Sequence, residues 1–315
     1  MTHKVDTGVG AGVTVQLVDG LRALADVRVE QDLALAPLST YGVGGAADWG
    51  VFPRTAEALS GVVRLLAEAG LPLQVLGRGS NVLIGDKGVR GVVVVLRDLA
   101  GIEVQGERLW VGAGADCTDV AAAAQGAALS GVEFFHRLPG SVGGAAFMNA
   151  RAFDQEMSQI WRWARVVTRA GDLEERRYAP GDFSYKRSPL QGSGEIAAQV
   201  ELHLSFGDPD EIRRRMDHNE QRRRDNGEMD HPSCGCVFKN DRAFGAPSGL
   251  VVDRAGLKGY RVGDAQVSPR HANFVINLGQ ATAADLRAVI EHVERTVEEE
   301  TGHRMEREVR FVGEF

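Results

Sequence analysis

Leu73-Gln74-Val75-Leu76-Gly77-Arg78-Gly79-Ser80-Asn81 reads as a short apolar strand running straight into a glycine-rich turn. Glycine has no Cβ, so successive backbone N–H groups can converge there on anionic oxygen atoms, as a diphosphate cradle requires. The segment lacks Gly-x-Gly-x-x-Gly spacing and no helix follows at once, which argues against a Rossmann fold. Taken alone, a plain tight turn explains these residues equally well. A second glycine-rich turn, Leu138-Pro139-Gly140-Ser141-Val142-Gly143-Gly144, sits among small residues further on. Two such loops in one domain favour a ligand with an extended phosphate, such as a dinucleotide.

Outward from these loops the chain alternates strand and helix. Leu59, Val62, Val63 and Leu66 recur at helical spacing over 55–69, closed by Gly70 and Pro72. Val92 to Leu96 reads as a buried strand, and an alanine-rich helix is expected over 118–130. Residues 165–178 read as a hairpin around Ala170-Gly171-Asp172. Val200, Leu202, Leu204 and Phe206 alternate with polar residues, as in a half-buried strand. Gly207-Asp208-Pro209-Asp210 then suggests a domain boundary. The helix beyond it carries Arg213–Arg215 and Arg222–Arg224 interleaved with Asp217, Glu220 and Asp225, a pattern expected of a solvated, salt-bridged face. Thr282 and Asp285 form a capping box for a last helix with an apolar stripe from Leu286 to Val297. The fold class expected is α+β.

Composition narrows the function. With 36 basic and 43 acidic residues the net charge is −7, which disfavours a duplex nucleic-acid binder. The longest apolar run, residues 91–96, is far short of the ~20 residues needed to cross a bilayer. No secretory h-region is evident after Met1, and the three cysteines, Cys117, Cys234 and Cys236, make no disulfide framework. A soluble cytoplasmic protein with no membrane role is expected.

His231-Pro-Ser-Cys234-Gly-Cys236-Val-Phe-Lys239-Asn240 is the third segment with possible chemistry. His231, Cys234 and Cys236 invite a metal reading, but structural zinc takes four ligands and no fourth presents itself, so no metal is expected. A buried small hydrophobe and a catalytic thiol beside Lys239 remain the alternatives.

Here the chain resembles a known family, the UDP-N-acetylenolpyruvoylglucosamine reductases of peptidoglycan synthesis. The resemblance rests on residues 38–48, Gly77-Arg-Gly-Ser-Asn81, Pro139-Gly-Ser-Val-Gly-Gly-Ala-Ala-Phe-Met-Asn149 and Phe183-Ser-Tyr185. It continues through Cys236-Val-Phe-Lys-Asn240, Ala255-Gly-Leu-Lys-Gly259, Gln266-Val-Ser268 with His271-Ala-Asn-Phe274, and Glu308-Val-Arg310. Few insertions separate these motifs, so the chain is similar to the shorter subtype without the tyrosine loop. The resemblance implies an N-terminal extension over 1–32 and an FAD-binding domain over 33–207 in two subdomains split near 97. That domain would be similar to those of vanillyl-alcohol oxidase relatives, with a C-terminal α+β substrate domain over 208–315.

It further implies NADPH-dependent, FAD-mediated reduction of the C=C bond of UDP-N-acetylglucosamine enolpyruvate. The partners are that substrate and NADPH, with no obligate protein partner. Gly77, Arg78, Gly79, Ser80, Asn81, Pro139, Gly140, Ser141, Gly143 and Gly144 would lie against FAD, with Thr40 and Gly45 nearby. Three positions usually serve the chemistry: a serine, an arginine and a glutamate. They correspond here to Cys236, Lys186 and Glu308, with Arg187 the alternative to Lys186. Cysteine keeps a proton donor, with an ordinary thiol pKa of ~8.5. Lysine replaces a bidentate fork by a point charge. Arg187, Lys239, Asn240 and Gln266 would bind substrate. A flavin oxidoreductase of the same fold on another substrate, and an inactive reductase-like protein, are the alternatives that the two substitutions leave open.

Overall fold

The computed structural model describes residues 12–315. Strands β1 (Val27–Ala34), β2 (Ala46–Pro53), β3 (Gln74–Leu76) and β5 (Val89–Val95) form a first sheet in the order β1-β2-β5-β3. Helices α1 (Val15–Ala23) and α2 (Ala56–Glu68) cover it, each N-capped by a threonine, Thr14 and Thr55. Leu59, Val62, Val63 and Leu66 of α2 pack with Trp49, Val51, Val92 and Val94 of the sheet. Their helical spacing is the apolar face that the sequence displays. Leu17, Val18 and Leu21 of α1 are buried in the same cluster. The expected extension over 1–32 is therefore corrected from residue 15 onward, because α1 and β1 are integral to the first sheet's core. Residues 1–11 lie outside the described residues.

After the turn Leu96–Asp98 the chain enters a five-stranded antiparallel sheet. It consists of β6 (Ile102–Gln105), β7 (Arg108–Gly112), β8 (Trp161–Val167), β9 (Leu173–Arg177) and β10 (Ile196–His203), in the order β9-β8-β10-β7-β6. The β8–β9 hairpin is the one expected around Gly171. β10 differs from its half-buried reading: lying at the centre of the sheet, it buries even Glu201. The alanine-rich helix α3 (Cys117–Gly126) stops earlier than expected, because Ala128 turns left-handed and Leu129–Ser130 pairs with Ser205–Phe206.

Helix α4 (Val142–Met148) follows the second glycine loop and, with α3, packs against this sheet. So does α5 (Pro209–Asp225), through Ile212 and Met216. The domain boundary expected at 208 is corrected accordingly: α5 is packed with the second sheet, and the C-terminal unit begins after it. That unit is a four-stranded sheet of Ser233–Cys236, Phe274–Asn277, Ala265–Val267 and Arg261–Val262, backed by α6 (Ala283–Thr301). Thr282 and Asp285 form the expected capping box, and the Asp86 carboxylate of the first subdomain also accepts from Ala283 N and Ala284 N at 2.8 and 2.9 Å. The chain then returns to the first subdomain, where Arg310–Val312 pairs in parallel with β4 (Val82–Ile84).

Candidate active site

A cavity of about 720 Å³ is lined by residues of both N-terminal subdomains and of the C-terminal unit. One wall is backbone. Residues 77–81, following β3, and 139–141 with Gly143 and Gly144, leading into α4, all line it. The two loops interlock: a Cβ on Gly77 would collide with Ser141 Oγ, and one on Gly140 would press on Ser80 Oγ. Gly79 adopts φ +67°, and its bare Cα admits the Leu38 carbonyl. Arg97 Nη2 donates to the Leu38 and Arg78 carbonyls at 2.9 and 3.2 Å, and Arg78 pairs with Asp116 at 2.9 Å. Ser141 Oγ accepts from Gly144 N as the cap of α4. Thr40 and Gly45 do not line the cavity. Thr40 N donates to the Gly79 carbonyl at 3.1 Å, behind the loop, and Gly45 is held bare by the backbone of Asp86 and Gly88.

The other wall is made of side chains. Lys186 sits in a tight loop closed by hydrogen bonds between Ser184 and Arg187, with its own backbone left-handed at φ +56°. Gln191 Nε2 donates to the Lys186 carbonyl at 3.0 Å and to that of Phe147 at 2.7 Å; Asn149 Nδ2 donates to that of Ser184 at 3.1 Å. The loop points Lys186 Nζ at Glu308 Oε1, 2.7 Å away. Glu308 N donates to the Val237 carbonyl at 2.7 Å, which seats Glu308 beside Cys236 at the end of its strand. Asn81 joins the two walls, because its amide donates to the Glu308 carbonyl at 3.0 Å and its carbonyl accepts from Arg310 N.

Electrostatics follow from this geometry. Burial pushes the Cys236 thiol up to about 12; the Glu308 charge adds to the rise and Lys186 partly offsets it. The thiol is protonated at neutral pH. Burial alone would depress Lys186, but the charge and hydrogen bond of Glu308 outweigh it and its pKa ends above the usual value. Cys234 is different in kind. It is buried, Thr40 Oγ1 lies 3.3 Å from its Sγ, and Sγ donates to the Val82 carbonyl at 3.1 Å, so it serves packing. His231 is exposed.

Lys186, Cys236 and Glu308 thus converge from three distant segments. Arg187 is exposed and does not line the cavity. Neither do Lys239, paired with Glu306 at 2.6 Å, Asn240, whose Oδ1 accepts from Ser248 N, or Gln266, which donates to the Gly259 carbonyl. Sequence reasoning missed Arg310, which faces Phe147 at 5.3 Å, and Arg223 on α5. Arg223 was legible in principle: it continues the spacing Ile212, Met216, Asn219 on the buried face of the helix.

The arrangement offers bare backbone for a phosphate chain, and beside it an acid, a cation and a carboxylate. The cavity's size lies within the ~300–1,000 Å³ usual for cofactor and small-molecule sites. Bare Cα atoms let the two loops interlock and set their backbone along one wall of the cavity, the kind of surface an extended diphosphate needs, so a dinucleotide fits here.

Comparison with known proteins agrees. A family model described as "UDP-N-acetylenolpyruvoylglucosamine reductase, C-terminal domain" matches residues 227–312, and one described as "FAD binding domain" matches 47–176. The chain is 41% identical over 300 residues to the UDP-N-acetylenolpyruvoylglucosamine reductase of Halalkalibacterium halodurans, covering 95% of this chain and 99% of that one. The Pediococcus pentosaceus reductase of the same name is 39% identical over 297 residues, covering 93% and 98%. The crystal structure of the UDP-N-acetylenolpyruvylglucosamine reductase of Thermus caldophilus superposes with a TM-score of 0.76 at 35% identity, covering 91% of this chain and 99% of the other.

Proposed function

The chain belongs to the UDP-N-acetylenolpyruvoylglucosamine reductase family, and from that premise we propose that Cys236, Lys186 and Glu308 carry its protonation chemistry. The protein is an FAD-dependent oxidoreductase with NADPH as reductant, acting on the enolpyruvyl ether of UDP-N-acetylglucosamine to give UDP-N-acetylmuramate for peptidoglycan. The chemistry that bound FAD would supply is hydride transfer linking NADPH to the double bond. The loops 77–81 and 139–144 would hold its diphosphate.

The chain's own residues handle the charge and the proton. Reduction at the distal carbon of an enol ether conjugated to a carboxylate drives negative charge onto that carboxylate. The Lys186 ammonium, already oriented by Glu308, is the group that meets this charge. The neighbouring carbon then needs a proton from a positioned acid. Cys236 is that acid: burial and the Glu308 charge keep its thiol protonated at working pH, yet it lines the cavity. Glu308 fixes both, by its 2.7 Å bond to Lys186 and its seat beside Cys236.

The observation that carries the reading is this acid–cation–carboxylate cluster facing two interlocked glycine loops across one cavity. Anaerobic half-reactions test it. Cys236→Ala should leave flavin reduction by NADPH intact and slow flavin reoxidation by the enolpyruvyl substrate by roughly 10²–10⁴-fold. Equal loss in both halves would assign Cys236 to packing. Among the described residues no helix is long and apolar enough to cross a membrane. Three cysteines without a disulfide among them support a reducing, cytoplasmic setting. The reaction's partners are its two small-molecule substrates, the UDP-sugar enolpyruvate and NADPH.

A further inference from the structure

Helix α5 carries six arginines, and one of them is unlike the rest. Arg213, Arg214, Arg215 and Arg224 pair with Asp217, Glu211, Glu133 and Glu220, and Arg222 is exposed. Arg223 is 6% exposed. Its Nη1 donates to Glu228 Oε2 at 2.7 Å, while its Nε and Nη2 are buried with no hydrogen-bond partner. A buried guanidinium with two unmet donors costs free energy unless an anion meets them. A residue that holds such a group in the wall of the main cavity is placed for a ligand.

The location identifies the chemistry of that ligand. One helical turn before Arg223, α5 is fastened to the segment that enters the second glycine loop. Asn219 Nδ2 donates to the Glu133 carbonyl at 3.1 Å, and Glu220 accepts from Arg137 Nε at 3.2 Å and pairs with His136 at 2.9 Å. Residues 137–141, Cys117 and Arg223 then line the same cavity. Phe153, whose ring centroid lies 5.0 Å from the Arg223 guanidinium, closes the apolar side and holds the fork in place. Glu228 takes one edge of the fork and leaves the other for a second acceptor, the geometry in which arginine binds phosphate oxygens.

We propose that Arg223 donates Nε and Nη2 to the diphosphate of the dinucleotide held by the glycine loops, with Glu228 orienting its guanidinium. This rests on the FAD reading above and adds a side-chain anchor to a cradle otherwise made of backbone. A diphosphate could also come from the UDP-sugar substrate, and the experiment separates the two sources. Flavin-free protein is titrated with FAD and, separately, with riboflavin, which has no phosphate. Arg223→Met should weaken FAD roughly 10- to 100-fold, the worth of a charged hydrogen-bond pair, and leave riboflavin within about twofold. Arg223→Lys should recover part of the loss. Because Arg223→Met strands the Glu228 carboxylate, the double variant Arg223→Met/Glu228→Gln serves as the folded control and should show the same selective loss.

Equal weakening of FAD and riboflavin would make Arg223 a packing residue and overturn the proposal. Unchanged FAD affinity with a raised KM for the UDP-sugar would move the contact to the substrate and overturn it equally. Wild-type protein that retains no flavin at all would defeat the FAD reading itself, and the proposal with it.

Discussion

The two glycine loops and the Lys186–Cys236–Glu308 cluster face the same cavity and are built in opposite ways. The loops work by what they lack: bare Cα atoms let two turns and the Leu38 carbonyl pack against one another. The cluster works by what it adds, three ionisable groups drawn from segments that lie 50 and 72 residues apart, 186 to 236 and 236 to 308. Backbone demands are local, so they leave a local trace in sequence. Side-chain convergence depends on the whole fold. Changes in the cluster should therefore cost rate, and changes in the loops should cost stability or cofactor retention.

The sharpest break of this contrast is at Lys186. Lys186→Met removes the cation proposed to meet substrate charge and should lower the rate of flavin reoxidation by roughly 10²–10³-fold, as loss of a key electrostatic donor does. Flavin content should be unchanged. Arg187→Ala, at an exposed site off the cavity, should stay within about twofold of wild type. Stopped-flow reoxidation of the reduced protein reads both. The reverse outcome would transfer the cationic role to Arg187.

Within the loops, Gly79 and Gly144 separate packing from binding. A Cβ at Gly79 would collide with the Leu38 carbonyl from a left-handed backbone, so Gly79→Ala should lose about 2–3 kcal/mol of stability in urea unfolding. Gly144 is the opposite case. A Cβ there would meet only Ser141 Oγ at 3.5 Å, an ordinary contact, yet the residue lines the cavity. Gly144→Ala should keep or slightly raise Tm while weakening FAD by roughly tenfold, because the added methyl would take up space in the cavity wall. Unchanged FAD affinity would mean that the cradle lies elsewhere on the wall.

Much of the fold could be read in advance where the signal is local. The stripe Leu59–Leu66, the capping box at Thr282 and the hairpin at Gly171 all stand where sequence places them. Less legible was which sheet an amphipathic helix covers. Ile212 and Met216 announce a buried face on α5 without saying whose core it joins, and so the boundary was set at 208 instead of after α5. Residues 15–32 fall within the expected extension for the same reason: a short stripe has no address. In the site, the roles of Cys236, Lys186 and Glu308 came from family resemblance, since no local pattern links three such separated residues. Arg223 was hidden by its neighbours, because one buried arginine in a run of salt-bridged ones has no compositional mark.

A smaller effect is expected at Gln191, a positioning residue. Its amide bonds to the Lys186 and Phe147 carbonyls fix the left-handed turn that aims Nζ. Gln191→Ala should lower kcat by about fivefold to tenfold with KM little changed, and Gln191→Glu, which cannot donate, should fall as far. A purely structural role would lower Tm and spare kcat at 25 °C.

The finest test concerns the charge around the thiol. Burial is the main reason the Cys236 pKa stands near 12, and the Glu308 carboxylate pushes it further the same way. Replacing that carboxylate by an amide in Glu308→Gln leaves the Lys186 charge, which favours thiolate, without its counterweight. The thiol pKa should fall, and the thiolate fraction at pH 8.5 should rise several-fold, since each pKa unit below 12 is worth about tenfold in thiolate. Iodoacetamide labelling at Cys236, followed by peptide mass spectrometry, reads this directly. Cys117 and Cys234, buried beneath the surface, are internal controls whose labelling should not change. The same logic fixes the sign of stability at high pH. Unfolded thiols ionise near ~8.5–9 while the folded protein keeps Cys236 neutral, so its contribution is whole below that range and fades as pH climbs toward 12. In Glu308→Gln the fade should end at a lower pH. If labelling at Cys236 were instead unchanged or slower in Glu308→Gln, the carboxylate would not be setting the thiol's acidity. Glu308 would then act on Lys186 alone, and the side-chain wall would be two devices rather than one.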